Sequence, residues 1–246
     1  VVSFAPHPRK VLSKLRGKIE PFTLLTPLRR KAELISELGF DAFVCIPFKQ
    51  ELSELSPNEF VQRYLVDALH VSNLVVGDEW RFGKKGAGDA AEVLRLGAEL
   101  GFEVDIQQQL THGEGRVSSS RIRSLLSEAR FAEAKLLLGR DFDISGRVVH
   151  GAKRGRTLGY PTANIKALDA YVPPSGVYAT RVLVEGASHI AATNIGVRPV
   201  FESKGELLIE SHLIGKNVDL YGKCIRVEFV ERLRGEQKFS SVDELK

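Results

Sequence analysis

Thr162 and Asn164 stand two residues apart in Pro161-Thr162-Ala163-Asn164, so on an extended strand they point to one side. A hydroxyl and a carboxamide oxygen on one face suit a hard Mg²⁺ ion and the phosphates attached to it. The stretch before them places glycines at Gly151, Gly155 and Gly159 and basic side chains at Lys153, Arg154 and Arg156. Glycine lets a backbone approach a ligand closely. Successive N–H groups joined by Lys and Arg make a cradle for phosphate. The spacing is not the G-x-x-x-x-G-K-[ST] of the common P-loop. The same composition also fits a basic surface hairpin between strands.

Three other groups of residues could do chemistry. In Leu207 to Ile214, LLIESHLI, strand alternation puts Leu207, Ile209, Ser211 and Leu213 on one face and Leu208, Glu210, His212 and Ile214 on the other. A carboxylate in such an apolar run is costly unless it is paired or has work to do. Partial desolvation makes a carboxylate a better general base toward a hydroxyl. A solvent-facing or salt-bridged Glu210 is the plainer alternative. In Arg116 to Arg123, RVSSSRIR, a serine can cap the helix IRSLLSEARFAEAKLLL, read as one element. Arg121 and Arg123 in its first turn oppose the helix dipole unless an anion sits there. Val75 to Asp89, VVGDEWRFGKKGAGD, is a strand followed by a Gly-rich basic loop, where Trp80 and Phe82 could stack on a flat ring. His7 in FAPHPR also follows a strand and could contact phosphate.

The elements that must position these residues come in two grammars. Up to about residue 140, strands and helices alternate: VVSF, a helix at Leu28 to Leu38 with Leu28, Ala32, Ile35 and Leu38 as its stripe, DAFVCIPF, a helix capped by Ser56 with Glu59, NLVVG, a helix at Ala90 to Leu100, and FEVDI. The second helix buries Phe60, Val61, Tyr64, Leu65, Ala68 and Leu69. This alternation predicts a mostly parallel sheet covered by helices. From about 143, SGRVVHG, PTANI, GVYATRVLVEG, HIAATNIGVRP, LLIESHLI and KCIRVEFVERL read as short strands of an antiparallel barrel or sandwich, with a short helix near Ser240. Leu138 to Asp141 is the expected junction, giving domains 1–140 and 141–246.

Composition narrows the class. The chain has 246 residues, 43% of them hydrophobic and 27% charged, with a net charge of +4. That balance suits phosphate-bearing partners without demanding nucleic acid. No apolar run is long enough to span a bilayer and no signal peptide is visible. Cys45 and Cys224 read as small core residues in a reducing compartment. No methionine occurs, not even at position 1, so we expect residues before Val1.

Taken together, SFAPHP, VVGDEWRFGKKGAGD, RVSSSRIR, SGRVVHGAKRGRTLGYPTANI, GVYA, TNIGVRP, IESHL, DLYGKCIRVEFVERLR and EQKFSSVDEL resemble, in order and across the whole chain, the bacterial bifunctional riboflavin kinase/FAD synthetases. The resemblance implies a Rossmann-like nucleotidyltransferase α/β domain followed by an antiparallel Greek-key β-barrel kinase domain. It implies that the barrel phosphorylates riboflavin with ATP and Mg²⁺, giving FMN and ADP, and that the α/β half adenylylates FMN to FAD and releases pyrophosphate. Glu210 matches the family's general base, and Thr162 and Asn164 its Mg²⁺ and phosphate ligands, with Gly151, Lys153, Gly155, Arg156 and Gly159 as the ATP cradle. Arg116, Ser119, Ser120 and Arg123 match the synthetase motif for ATP phosphates, and His7 and Asp78 lie in segments of that site. Asn194 and Arg198 are expected neighbours of the kinase site.

The family's synthetase half usually opens with a G-x-F-D-G-x-H-x-G-H segment that this sequence lacks. The resemblance therefore implies poor FAD synthesis and a parallel sheet without one central strand. Small-molecule partners, no nucleic acid, no membrane and a cytoplasmic setting follow from the same likeness; it sets no oligomeric state. A kinase-only enzyme and a flavin-responsive binding module stay open as alternatives. An RNA-binding barrel is a weaker one, because no aromatic residues interleave with Lys153, Arg154 and Arg156.

Overall fold

The computed structural model describes residues 1–18, 22–113, 115–150, 162–167, 169–200, 203–216 and 218–237, with backbone alone at 198–200 and 203–206. The expected helix near Ser240 lies outside them. Two compact units are present: Val1–Phe22 with Lys31–Arg116, and Thr23–Arg30 with Val117–Lys246.

The first unit contains β1 (Val2–Ala5), α1 (Pro8–Leu15), most of α2 (Leu28–Glu37), β2 (Val44–Pro47), α3 (Gln50–Ser53) and α4 (Pro57–Phe60). It continues with β3 (Asn73–Gly77), α5 (Ala90–Leu100), β4 (Glu103–Gln107) and a small hairpin of β5 (Thr111–His112) and β6 (Gly115–Arg116). β1 runs parallel to β2 and β3 parallel to β4. Among the described residues the two pairs do not join into one sheet. Leu74 and Val76 of β3 and Val104 and Ile106 of β4 pack against a core built on Phe60, Val61, Leu65, Phe82, Val93 and Leu96. The opposite face of β3 is open, leaving Val75 61% exposed.

Local signals were faithful here. The Ser56–Glu59 capping box forms, with Ser56 Oγ accepting from the Glu59 N–H at 3.2 Å. Asp89 caps α5, and Gly101 closes it in the left-handed conformation. The helix after Ser56 corrects one expectation. Beyond Phe60 it becomes a π-helix over Val61–Asp67. Its wider turn falls out of phase with a 3.6-residue stripe, so Leu65 stays buried while Ala68 and Leu69 turn outward.

The second unit holds α6 (Ser119–Ser127), α7 (Phe131–Leu138), β7 (Phe142–Val149), β8 (Ala163–Lys166), β9 (Gly176–Val184), β10 (Ala187–Val200), β11 (Ser203–Leu213) and β12 (Cys224–Arg234). All six strands pair antiparallel and close into a barrel in the order β10-β11-β8-β7-β12-β9. Alternation sends Phe142, Ile144, Val148, Tyr178, Val182, Ile195, Ile209, Val227 and Phe229 inward. Phe131 of α7 packs edge-on to Tyr178 and stacks on Phe229, with centroids 5.7 and 5.8 Å apart, so the helix plugs the barrel.

Three further expectations are corrected. The single helix after RVSSSRIR is two helices, broken where Ala129 takes φ +57° and Arg130 bridges Glu128 and Glu133. The break frees Phe131 to enter the barrel core. The apolar stripe of α2 is not its buried face: Leu28 and Leu38 are exposed, and the buried residue is Arg30. Arg30 Nε donates to both Asp143 carboxylate oxygens at 3.3 and 3.1 Å, and Arg140 donates to Asp143 at 2.6 Å, so burial follows a paired charge and not hydrophobicity. Cys224 is not a core residue. It is exposed at the start of β12, where Arg29 reaches its sulfur at 3.6 Å, and Cys45 is only half-buried.

Candidate active sites

The kinase-like residues gather on the outer face of the barrel. Ile209, Ser211 and Leu213 point inward, so Glu210 and His212 face out. Glu210 is the direct antiparallel partner of Asn164 on one side and of Asn194 on the other. Directly opposed residues bring their Cβ atoms to about 4.5–5.5 Å, so carboxamide, carboxylate and carboxamide form one row across β8, β11 and β10. Asn164 is buried and Glu210 half-buried. Thr162 is half-buried and sits just ahead of β8. Val149 pairs with Asn164, so the connection from β7 to β8 leaves and returns beside this row. Gly151, Lys153, Gly155, Arg156 and Gly159 fall within that connection and lie outside the described residues. Arg198 continues along β10; its side chain lies outside them too.

Two features of the barrel were not anticipated. A Glu236 carboxylate oxygen lies 2.8 Å from the point where a Cβ on Gly196 would stand, and Asn194 Nδ2 lies 3.5 Å from it. Glu236 follows the last strand by two residues and opens EQKFSSVDEL, a stretch that shares the family resemblance but assigns this acid no role. The second feature is a set of buried hydroxyls, Thr180, Thr193 and Ser211, inside the barrel. Their inward parity in alternating strands was the available signal.

The synthetase-like residues divide between the units. His7, Asp78 and Arg116 are in the first. His7 caps α1, its Nδ1 accepting from the Arg9 N–H at 3.2 Å, and its ring lies 4.6 Å from that of Phe22. Asp78 is exposed at the carboxyl end of β3, and its N–H donates to the Gln107 carbonyl at 3.0 Å. Arg116 donates to Glu79 at 2.6 Å and to Gln109 at 3.0 Å, which brings it beside the turn that carries Asp78. Arg116, then Gln109, holds the Glu79 carboxyl below the usual carboxylate range.

Ser119, Ser120 and Arg123 are in the second unit, in the first turns of α6. Ser118 is the cap, its Oγ accepting from the Arg121 N–H at 3.3 Å, which leaves Ser119 and Ser120 exposed. Arg121 and Arg123 have partners within the protein where their position in the first turn suggested an anion. Arg123 donates to the Thr23 carbonyl at 2.9 Å and lies 5.8 Å over the Tyr171 ring. Arg130, by hydrogen bond, and Arg121, by its charge at longer range, hold the Glu133 carboxyl below the usual carboxylate range, so Arg121 has an acidic neighbour.

The Gly-rich loop after β3 also has structural work. A Cβ on Gly83 would stand 2.6 Å from Pro57 N, and one on Gly88 would stand 2.7 Å from the Phe82 ring. Trp80 and Phe82 stack on each other at 4.3 Å, so Phe82, 6% exposed, offers no face to a ligand.

No helix among the described residues is long and apolar enough to cross a membrane. Among them, too, no cluster of three His, Cys, Asp or Glu side chains could hold a metal.

Comparison with known proteins covers both halves. The riboflavin kinase family model matches residues 138–246 and the FAD synthetase family model matches residues 1–121. The protein from Listeria monocytogenes named bifunctional riboflavin kinase/FMN adenylyltransferase is 39% identical over all 246 residues, which cover 77% of its length. The Pseudomonas fluorescens protein of the same name is 40% identical over the whole chain and 78% of its own. A crystal structure from Streptococcus pneumoniae described as a macrolide-efflux protein superposes with a TM-score of 0.83 at 30% identity, over the whole chain and 78% of its own. That description and the enzyme names disagree; the matches to both enzymatic halves cover nearly all of the sequence and decide between them. With a kinase model on the barrel half, a synthetase model on the α/β half and full-length relatives carrying both names, the chain belongs to the bifunctional riboflavin kinase/FMN adenylyltransferase family.

Proposed function

We propose that this chain phosphorylates riboflavin to FMN on the outer face of the barrel and adenylylates FMN to FAD in its N-terminal half, with the working division near residue 140. The observation that carries the kinase reading is the register that sets Glu210 between Asn164 and Asn194. Glu210 is the general base. It takes the proton from the ribityl 5′-hydroxyl as that oxygen attacks the γ-phosphorus of ATP, and the bond to ADP breaks. This chemistry is mostly positioning and charge neutralisation. Thr162 and Asn164 supply neutral oxygen donors of the kind hard cations take, and together with phosphate oxygens they would hold Mg²⁺. Bound there, the ion neutralises phosphate charge. The basic stretch with Lys153 and Arg156 is the phosphate cradle.

For the second reaction, Arg116, Ser119, Ser120 and Arg123 are our candidates for the ATP phosphates, with His7 and Asp78 lining the same site. A cytoplasmic setting fits free Cys45 and Cys224.

Purified protein with riboflavin, ATP and Mg²⁺ tests the first claim: FMN and ADP should appear together, and no FMN rejects it. FMN with ATP tests the second through pyrophosphate release; its absence leaves the kinase-only enzyme. Glu210→Gln should lower kcat by at least about 10²-fold with little change in ATP binding. Unchanged turnover removes Glu210 as the base.

A further inference from the structure

Among the described residues, the barrel interior is mostly apolar; besides the Tyr178 phenol, which donates to the Pro174 carbonyl, it holds three hydroxyls on adjacent strands. Thr180 of β9, Thr193 of β10 and Ser211 of β11 are 2%, 0% and 1% exposed. Thr180 Oγ1 lies 3.1 Å from the Ala191 carbonyl oxygen and 2.8 Å from Thr193 Oγ1, and Thr193 Oγ1 lies 2.7 Å from Ser211 Oγ. Each hydroxyl has one proton. The chain ends on a carbonyl, which can only accept, so Thr180 donates there. Thr193 then donates to Thr180, and Ser211 to Thr193. All three protons are used and the chain has one direction.

The same register sets the outer face. Thr193 is the cross-strand partner of Ser211, and the next pair along is Asn194 with Glu210. A one-residue slip of β11 would send Glu210 into the core. A two-residue slip keeps every side chain on its face, so hydrophobic pattern alone does not oppose it. It would, however, set Ser211 against Ala191 or Ile195 and break the link to Thr193, stranding buried hydroxyls. On the β8 side the register rests on two residue pairs, so the ladder with β10, regular from Ala191–Leu213 to Arg198–Glu206, must fix it, and the hydroxyl chain lies inside that stretch.

We infer that Thr193 is a positioning residue for phosphoryl transfer: through the Thr180–Thr193–Ser211 chain it holds Glu210 in line with Asn164 and Asn194. This rests on the reading of Glu210 as the kinase base. Thr193→Val keeps the branched shape and removes the hydroxyl. In the full chain it should lower kcat for FMN formation by about tenfold with KM for ATP unchanged, and Thr193→Ser should restore turnover. Ile144→Val, elsewhere in the barrel core, should lower Tm without this loss of kcat. If Thr193→Val does not fold, Ser211→Ala cuts the same link and should lower kcat in the same way. Backbone amide exchange at Asn194 and Glu210 should quicken in either variant, a readout that does not need turnover.

Wild-type kcat in a folded Thr193→Val or Ser211→Ala protein overturns the inference. So does a kcat loss that Ile144→Val matches at equal Tm, or a Thr193→Ser protein as impaired as the valine variant. Absence of FMN with the wild-type protein would instead sink the kinase reading, and the exchange experiment would still judge the positioning claim.

Discussion

Asp143 shows how much one residue can decide. Its carboxylate is buried on the outside of β7 and takes hydrogen bonds from Arg30 and Arg140. Removing one partner of a buried pair leaves a desolvated charge behind, at a cost of about 3–5 kcal/mol. Asp143→Ala should therefore lower Tm sharply in calorimetry, since it strands two arginines; a change within a degree would show that water already reaches them. At Glu79 the effect is one of pH. Arg116 and Gln109 depress its pKa in the folded protein, so the link to Arg116 is complete above the ordinary carboxylate value. It is lost as pH falls through the lower, folded value. Carboxyl chemical shifts should follow Glu79 titrating below 4.5, and Arg116→Ala should move that midpoint up toward 4.5.

Elements explain which parts of this protein could be read in advance. The strands β3, β7 and β9 to β12 were legible because inward and outward side chains alternate, and α5 because Asp89 and Gly101 bracket it. The burial of Arg30 was not legible: its partner Asp143 is 113 positions away, so no local pattern contains it. The break at Ala129 carries neither glycine nor proline; tertiary packing of Phe131 favours it over helix continuation. The kinase row was half legible. Parity separates Glu210 from Ile209 and Ser211 and sets Asn164 on one side with Thr162, but only pairing across strands shows the two adjacent on the outer face, and the resemblance of EQKFSSVDEL does not single out Glu236. A prediction belongs at this scale. Gly146 lies where β7 passes β8, and a Cβ there would stand 2.6 Å from both the Lys166 carbonyl oxygen and Ile165 Cγ2. Gly146→Ala should push β8 outward, cost about 1–3 kcal/mol in denaturant unfolding and weaken ATP binding through Asn164. Full stability and affinity would mean that β8 yields without loss.

For the whole molecule, the compact units matter more than the working division at 140. Helices α6 and α7 share a core with the barrel, and Phe131 fills its end. Losing such a ring from a core costs about 3–5 kcal/mol. A fragment 117–246 should therefore be more stable than 141–246, measured by thermal unfolding of the two; equal stability would mean the plug is dispensable. The first unit, in turn, holds the only tryptophan of the chain, stacked on Phe82. Its ultraviolet emission is consequently a private reporter of that half, blind to the barrel, whereas circular dichroism sums both. If melting followed by fluorescence and by ellipticity gives two different midpoints, the halves lose order independently; a shared midpoint means that neither opens without the other.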